Sequence, residues 1–254
     1  MDFLTRLGET FLDWEKIAEV LPSMFTVGLP NTLVLAITSG LIGAFAGLIL
    51  ALMGISRNPV ARWAARVYTD VFRGLPAVLT ILVIGLGFGP IFREMTGSNS
   101  PYPMGVAALS LMAAAYTGEI FRSGIQSVDK GQLEASRALG FGYGASMRLV
   151  VVPQGIRRVL PALMNQFIAL IKDSSLVFTL GLLATERELF QIGQDAAARS
   201  GNLSPYVAAA IFYLAMTIPL THLVNYIDAR LRTGRPEKKE PDDAAAVVGK
   251  GAQA

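Results

Sequence analysis

Lys172 and Asp173 interrupt a stretch, 159–185, that otherwise carries no charge. Ionisable groups at membrane depth are costly and usually face protein or a water-filled path, so this pair is a candidate for contact with a polar solute. Asn165, about two helical turns earlier, and Ser175 add groups able to hydrogen-bond an ammonium or a carboxylate. The competing reading of all four is structural: Lys172 snorkels from a helix end, or the polar side chains join neighbouring helices. Glu119 and Arg122, at i and i+3, suit an ion pair closing a span, while Arg73 and Pro76 read as an interfacial anchor and a bend. His222, beside Thr221 and Asn225, reads as a packed, hydrogen-bonded histidine rather than a proton relay. With no cysteine and a single histidine, the chain offers no thiolate nucleophile, no disulfide and no evident metal site, so no catalytic residue, cofactor or metal ligand is assigned. It also lacks a Gly-x-x-x-x-Gly-Lys-Ser/Thr phosphate loop, its only Gly-Lys pair being Gly249-Lys250. The chain therefore has no visible means of holding ATP phosphates, and any energy its work requires comes from another subunit or an ion gradient. An intramembrane enzyme would need a nucleophile and base at one depth, and His222 has no serine or carboxylate partner at helical spacing.

The elements that position these residues follow from hydropathy. The 254 residues are 52% hydrophobic and 16% charged, against roughly 45–50% and about 25% in soluble domains. Mean hydropathy is +0.48. Segments 20–56, 95–118 and 200–227 are free of charge, and 74–92 extends backward if Arg73 lies at an interface or faces protein. A bilayer core needs about 20 apolar helical residues, so the expectation is an all-α membrane protein with about five transmembrane helices, near 28–54, 70–92, 101–121, 154–183 and 204–228. The segment carrying Lys172 and Asp173 is either one helix or two interfacial pieces.

Lysine and arginine set the orientation. Arg57, Arg62 and Arg66 lie between spans one and two, and Arg122, Lys130, Arg137, Arg148, Arg157 and Arg158 between spans three and four. Arg230, Arg232, Arg235, Lys238, Lys239 and Lys250 follow span five. This majority of the 22 cations falls on one side, predicting an N-terminus outside and a cytoplasmic C-terminus. The first 20 residues are acidic and do not resemble a secretory signal. Segment 1–22, with Leu4, Leu7, Phe11, Trp14, Ile17 and Leu21 recurring every three to four residues, predicts an amphipathic helix. It lies at the outer interface or packs on the protein's own outer face. Residues 23–232 form the transmembrane domain, and the polar, Ala- and Gly-rich 233–254 reads as a disordered cytoplasmic tail.

Segment 129–153 carries the most specific pattern. Asp129 followed by Gln132 has capping-box spacing, 133–139 holds good helix formers, and Gly140 stands where a left-handed residue closes a helix. A short helix over 130–139 is therefore expected, followed by a second piece over 144–151, with span four starting at Pro153 at an angle. The helices protrude into the cytoplasm, with Arg137, Arg148 and a small-residue face of Ala135 and Ala138.

Glu134-Ala135-Ser136, three residues, Gly140, nine residues and then Val150-Val151-Val152-Pro153 resembles the EAA loop of binding-protein-dependent ABC importer permeases. Ser136, Val150 and Val152 depart conservatively from that pattern. Tyr116, Glu119, Arg122, Gly124, Ile125, Gln132, Gln154, Pro161, Asn165 and Lys172-Asp173-Ser174-Ser175-Leu176 are similar to the signature of the polar amino acid group, as are Asn31-Thr32-Leu33 and Arg73-Gly74-Leu75-Pro76. In the last, Leu75 replaces the usual threonine. The resemblance covers roughly 28–228 and implies a type I ABC importer permease in a bacterial cytoplasmic (inner) membrane. In such a family Glu134, Ala135, Ser136, Gly140 and Pro153 belong to the element that docks on the ATPase. The implied partners are two ATPase subunits, a second permease subunit, identical or homologous, and an extracytoplasmic amino-acid-binding protein, in a lipid bilayer and without nucleic acid. Alternatives are a proton-coupled secondary transporter using Asp173 or His222, or an importer permease for another small polar solute.

Overall fold

The computed structural model describes residues 3–232, and among these every regular element is helical. The tail reading for 233–254 lies outside the described residues. The N-terminal segment is not one helix, as expected for 1–22, but two: α1, Phe3–Phe11, and α2, Trp14–Ser23. Asp13 divides them, because its carboxylate caps α2 through the Glu15 and Lys16 N–H groups while its own N–H donates to Ser204 Oγ at 2.9 Å. Ile17 and Val20 of α2 join Leu189, Ile192, Ala208 and Phe212 in a buried cluster, so α2 packs on the protein's own outer face. From α2 the chain continues through a π turn, Met24–Gly28, directly into α3, Leu29–Gly54.

The second crossing departs most from expectation. Instead of one helix over 70–92 there are two in series, α4 (Pro59–Gly74) and α5 (Ala77–Thr96). Leu75 is extended at ψ 141° ahead of Pro76, the conformation a residue before proline favours. Asn58 caps α4 by accepting from Val60 N–H at 2.9 Å. The helix starts beside the cytoplasmic ends of its neighbours and climbs along the third crossing, α6 (Tyr102–Gln126). There the Tyr68 hydroxyl donates to the Leu111 carbonyl at 2.9 Å, and Phe72 packs on a cluster containing Leu35 and Leu109.

α6 is the central helix, and small residues let its neighbours approach closely. A Cβ on Gly43 of α3 would sit 2.5 Å from Ala113 Cβ, and the Thr117 hydroxyl lies 3.0 Å from the Gly43 carbonyl. On the other flank, a Cβ on Gly155 would lie 2.8 Å from the Ile125 backbone nitrogen. The cytoplasmic α7 (Lys130–Ala138) and α8 (Tyr143–Ser146) lead through a π turn, Met147–Val151, into α9 (Val152–Asp173). The helix does not start at Pro153 but runs through it. In the π turn Val152 N–H donates to the Met147 carbonyl, and the helix passes over the missing proline N–H without breaking. Beyond α9 come a 3₁₀ turn, Ser174–Leu180, an unforeseen outer helix α10 (Leu189–Ser200) and α11 (Ser204–Arg232). Among the described residues four helical stretches are long and apolar enough to cross a membrane, and α9 with its 3₁₀ extension covers the segment expected as the remaining span.

Candidate functional site

On the cytoplasmic side, Asp129 caps α7 by accepting from Gly131 N–H at 2.7 Å. The other half of the expected capping box does not form, since Gln132 Oε1 instead accepts from Gln154 Nε2 at 3.1 Å. Gly140 has φ +90°, and Gly140 N–H and Phe141 N–H donate back to the Arg137 and Ser136 carbonyls, which completes a Schellman closure. Glu134, Ala135 and Pro153 are exposed, but Ser136 is buried and its hydroxyl donates to the Leu133 carbonyl at 2.9 Å. Ser136 thus faces into the segment and ties its last turn to Leu133. The turn itself displays large apolar side chains: Leu139 is 79% exposed, and Phe141, Tyr143 and Leu149 are exposed beside it.

Span four changes pitch where Lys172 and Asp173 stand. α9 ends at Asp173 and 3₁₀ geometry begins at Ser174. The Ser174 and Ser175 hydroxyls donate to the Ile171 and Lys172 carbonyls, each at 2.7 Å, which satisfies groups loosened by the change. Asn165 and Lys172, seven residues apart, share one exposed face of α9, while Asp173, turned by about 100°, is half-buried. No ion pair joins Lys172 to Asp173 among the described residues. His222 is exposed, contrary to the packed histidine expected.

A second charged place draws its residues from three helices. Between α3, α4 and α6 lies a cavity of about 270 Å³ walled by Arg62, Arg66, Asp70, Arg73, Glu119 and Arg122. Arg122 donates to both Glu119 oxygens, at 2.9 and 2.6 Å, and to Gln126 Oε1 at 2.9 Å. The Arg73 guanidinium lies 3.9 Å from Glu119 and 5.5 Å from the centre of the Tyr116 ring. Arg73 thus leans onto α6 while its side chain stays 46% exposed. Arg62, Arg66, Asp70 and Arg73 recur every three to four residues, a helical spacing visible in the sequence that puts them on one face of α4.

Sequence reasoning missed Glu188. Its fully buried carboxylate caps α10, accepting from the Phe190 and Gln191 N–H groups at 2.6 Å each and from the Tyr213 hydroxyl at 3.0 Å. Burial pushes this carboxyl up to about 7, against the opposing pull of those hydrogen bonds, and Asp195 adds to the rise. An acid directly before the periodic Leu189, Ile192, Gly193 and Ala196 was the available sign.

An apolar helical bundle that holds charged groups and displays a capped apolar turn on its cation-rich side fits the membrane-spanning part of a transport system. The family described as "Binding-protein-dependent transport system inner membrane component" matches residues 23–233. The chain belongs to that family and is a multi-pass inner-membrane permease of the type I ABC importer fold. It is 38% identical to the probable amino-acid permease protein YxeN of Bacillus subtilis over 82% of this chain and 90% of that protein. Identity to the arginine transport system permease protein ArtQ of the same organism is 35% over 81% and 91%. A crystal structure of an amino acid ABC transporter with histidines superposes with a TM-score of 0.70 at 31% identity, covering 91% of this chain and 99% of that one.

Proposed function

We propose that this chain is the non-enzymatic transmembrane subunit of an importer that moves polar amino acids inward by alternating access, driven by ATP hydrolysed in a partner. Relatives named for amino-acid, arginine, glutamine and glutamate/aspartate transport support the solute class. The observation that carries the coupling is the continuity of helix from Tyr143 through Leu180. One end of this rod adjoins the exposed Leu139 and Phe141 turn, which offers the ATPase an apolar face beside Glu134 and Ala135. The other end carries Lys172 and Asp173. Between them, the backbones of α6 and α9 cross closely at Gly124 and Gly155, a fulcrum about which a push on the loop tilts the charged end.

In this reading a zwitterionic solute meets Asn165, Lys172, Asp173 and Ser175 where the helix changes pitch, and leaves past the arginine-rich inner cavity, whose four guanidiniums face two carboxylates. Type I geometry implies a second permease subunit, identical or homologous, two ATPase subunits and an extracytoplasmic amino-acid-binding protein. α1, with Phe3, Leu7 and Phe11 exposed at i, i+4 and i+8, lies on the outer leaflet. The test is uptake per assembled complex for Lys172→Met and Asp173→Asn with radiolabelled arginine, glutamine and glutamate. A changed preference among the three at normal assembly supports the path. Uptake lost only in proportion to lost complex, with unchanged preference, assigns the pair a structural role.

A further inference from the structure

Glu188, Tyr213, Thr32 and Ser174 form a buried polar chain that no transport step described so far uses. Glu188, Thr32 and Ser174 are fully buried, and they belong respectively to the start of α10, to α3 and to the 3₁₀ turn of span four. Tyr213, on α11, lies between them: its hydroxyl donates to Glu188 Oε2 at 3.0 Å, and the Thr32 and Ser174 side chains act on that hydroxyl without a hydrogen bond to it in this arrangement. The Thr32 hydroxyl oxygen also accepts from Leu189 N–H at 3.1 Å, which binds the first turn of α10 to span one a second time. Asn31 adds donations from Nδ2 to the Thr185 and Arg187 carbonyls, at 2.9 and 3.2 Å, on the loop leading into Glu188. A buried network of this kind fixes one arrangement when every member is satisfied and penalises others.

We propose that Glu188 is a positioning residue for transport, coupling the extracytoplasmic helix α10 to the pitch change beside Lys172 and Asp173 through Tyr213 and Ser174. The proposal rests on the reading that this pair lines the solute path. The coupling works through the number of acceptors available. As a carboxylate, Glu188 accepts three hydrogen bonds, two from the α10 backbone and one from Tyr213. A proton on the carboxyl removes acceptor capacity and adds a donor, which frees Tyr213 to turn toward Thr32 and Ser174. Gln191 Oε1, buried nearby with no partner among the described residues, is an acceptor open to such a donor.

The groups around Glu188 that could mask this response are few. Asp195 on α10 raises its proton affinity and is itself paired with Arg187 at 3.1 Å. Glu186 lies on the same loop and interacts with Tyr102 of α6, and α11 presents Tyr213, on which Thr32 of α3 and Ser174 of span four act in turn.

The experiment uses the complex co-purified with its ATPase, reconstituted in liposomes with its binding protein, and reads uptake of arginine, glutamine and glutamate across neutral outside pH. Glu188→Gln keeps the cap's shape but cannot ionise, and Tyr213→Phe removes only the bridging hydroxyl. Both are expected to assemble normally and to lower the maximal uptake rate several-fold at unchanged half-saturation by binding protein. Glu188→Gln also flattens the pH profile. A second readout reports position directly: in this cysteine-free chain, Thr179→Cys on the 3₁₀ turn is expected to react with an impermeant thiol reagent at a rate that shifts several-fold when Tyr213→Phe is added. Native labelling and native maximal uptake in Tyr213→Phe overturn the proposal, as does loss of uptake matched by loss of complex in both variants. If Glu188→Gln does not assemble, Tyr213→Phe decides alone. Normal uptake in Lys172→Met and Asp173→Asn would instead overturn the path reading, while the Thr179→Cys labelling shift stands or falls on its own.

Discussion

Gly47 offers a direct test of the α3–α6 contact on which the bundle is built. A Cβ added there would lie 2.8 Å from Gly118 N and 2.9 Å from the Ala114 carbonyl oxygen, and closer still to Thr117 Oγ1. Two of these atoms are backbone, so Gly47→Ala cannot be absorbed by a rotamer change and the helices must part. Overpacking of this kind costs about 1–3 kcal/mol. Parting also strains the interhelical bond from the Thr117 hydroxyl to the Gly43 carbonyl, 3.0 Å long, and such bonds contribute about 0.6 and at most about 1.7 kcal/mol. The expected loss is therefore about 2–4 kcal/mol, which for a chain of this size lowers the midpoint of thermal unfolding by roughly 4–16 °C. Gly87→Ala on α5 is the control, because a Cβ there meets nothing within 4 Å and helix propensity alone favours alanine by up to about 1 kcal/mol. The assay is tryptophan-monitored melting of the purified permease in detergent, with both variants beside the native chain. Equal midpoints for Gly47→Ala and the native protein, or a higher one, would refute the close-packed reading.

The orientation is checked by cysteines introduced singly at Ser98 and Ser127: an impermeant reagent outside should label the first and spare the second, and the reverse pattern inverts the topology. Gly140→Val places a β-branched residue at φ +90°, at a cost of order 1–2 kcal/mol, and Glu134→Ala removes an exposed carboxylate from α7. Both should lower uptake and ATPase stimulation in a chain that still inserts, and full activity in both would sink the coupling assignment. Glu188 should make stability depend on pH. Its carboxyl, raised from 4.5 to about 7, keeps its proton longer in the folded state. Stability therefore falls as pH rises from about 4.5 to 7 and is flat above, by about 3 kcal/mol in all. Melting of the native chain and Glu188→Gln across that range should show the slope only in the former.

Which features were legible in the sequence depended on whether one segment held the whole signal. Asp129, Gly140 and the spacing to Pro153 sit within one short stretch, and the cap and the positive φ there follow from local chemistry. The α3 crossing was visible because nothing charged falls between Val20 and Ser56. The second crossing was misdivided because Arg62, Arg66, Asp70 and Arg73 resemble a solvated loop until α6 supplies Glu119 and Tyr116 to receive Arg73. Asp13 and Glu188 were hidden for a related reason: each caps a helix while bonding to a side chain from α11, Ser204 in one case and Tyr213 in the other. His222 shows the converse, a polar residue on an apolar helix that resembled a packed group and is instead exposed.

The central claim, that ATP spent by a partner moves amino acids through this chain, is tested most directly in proteoliposomes holding the co-purified complex, with binding protein outside. Uptake of radiolabelled arginine, glutamine and glutamate is measured with and without ATP in the lumen, and with a protonophore present. The account predicts uptake of at least one of the three that requires lumenal ATP and binding protein and persists when the proton gradient is collapsed. Uptake that proceeds without ATP and vanishes with the protonophore would contradict it and point to proton coupling.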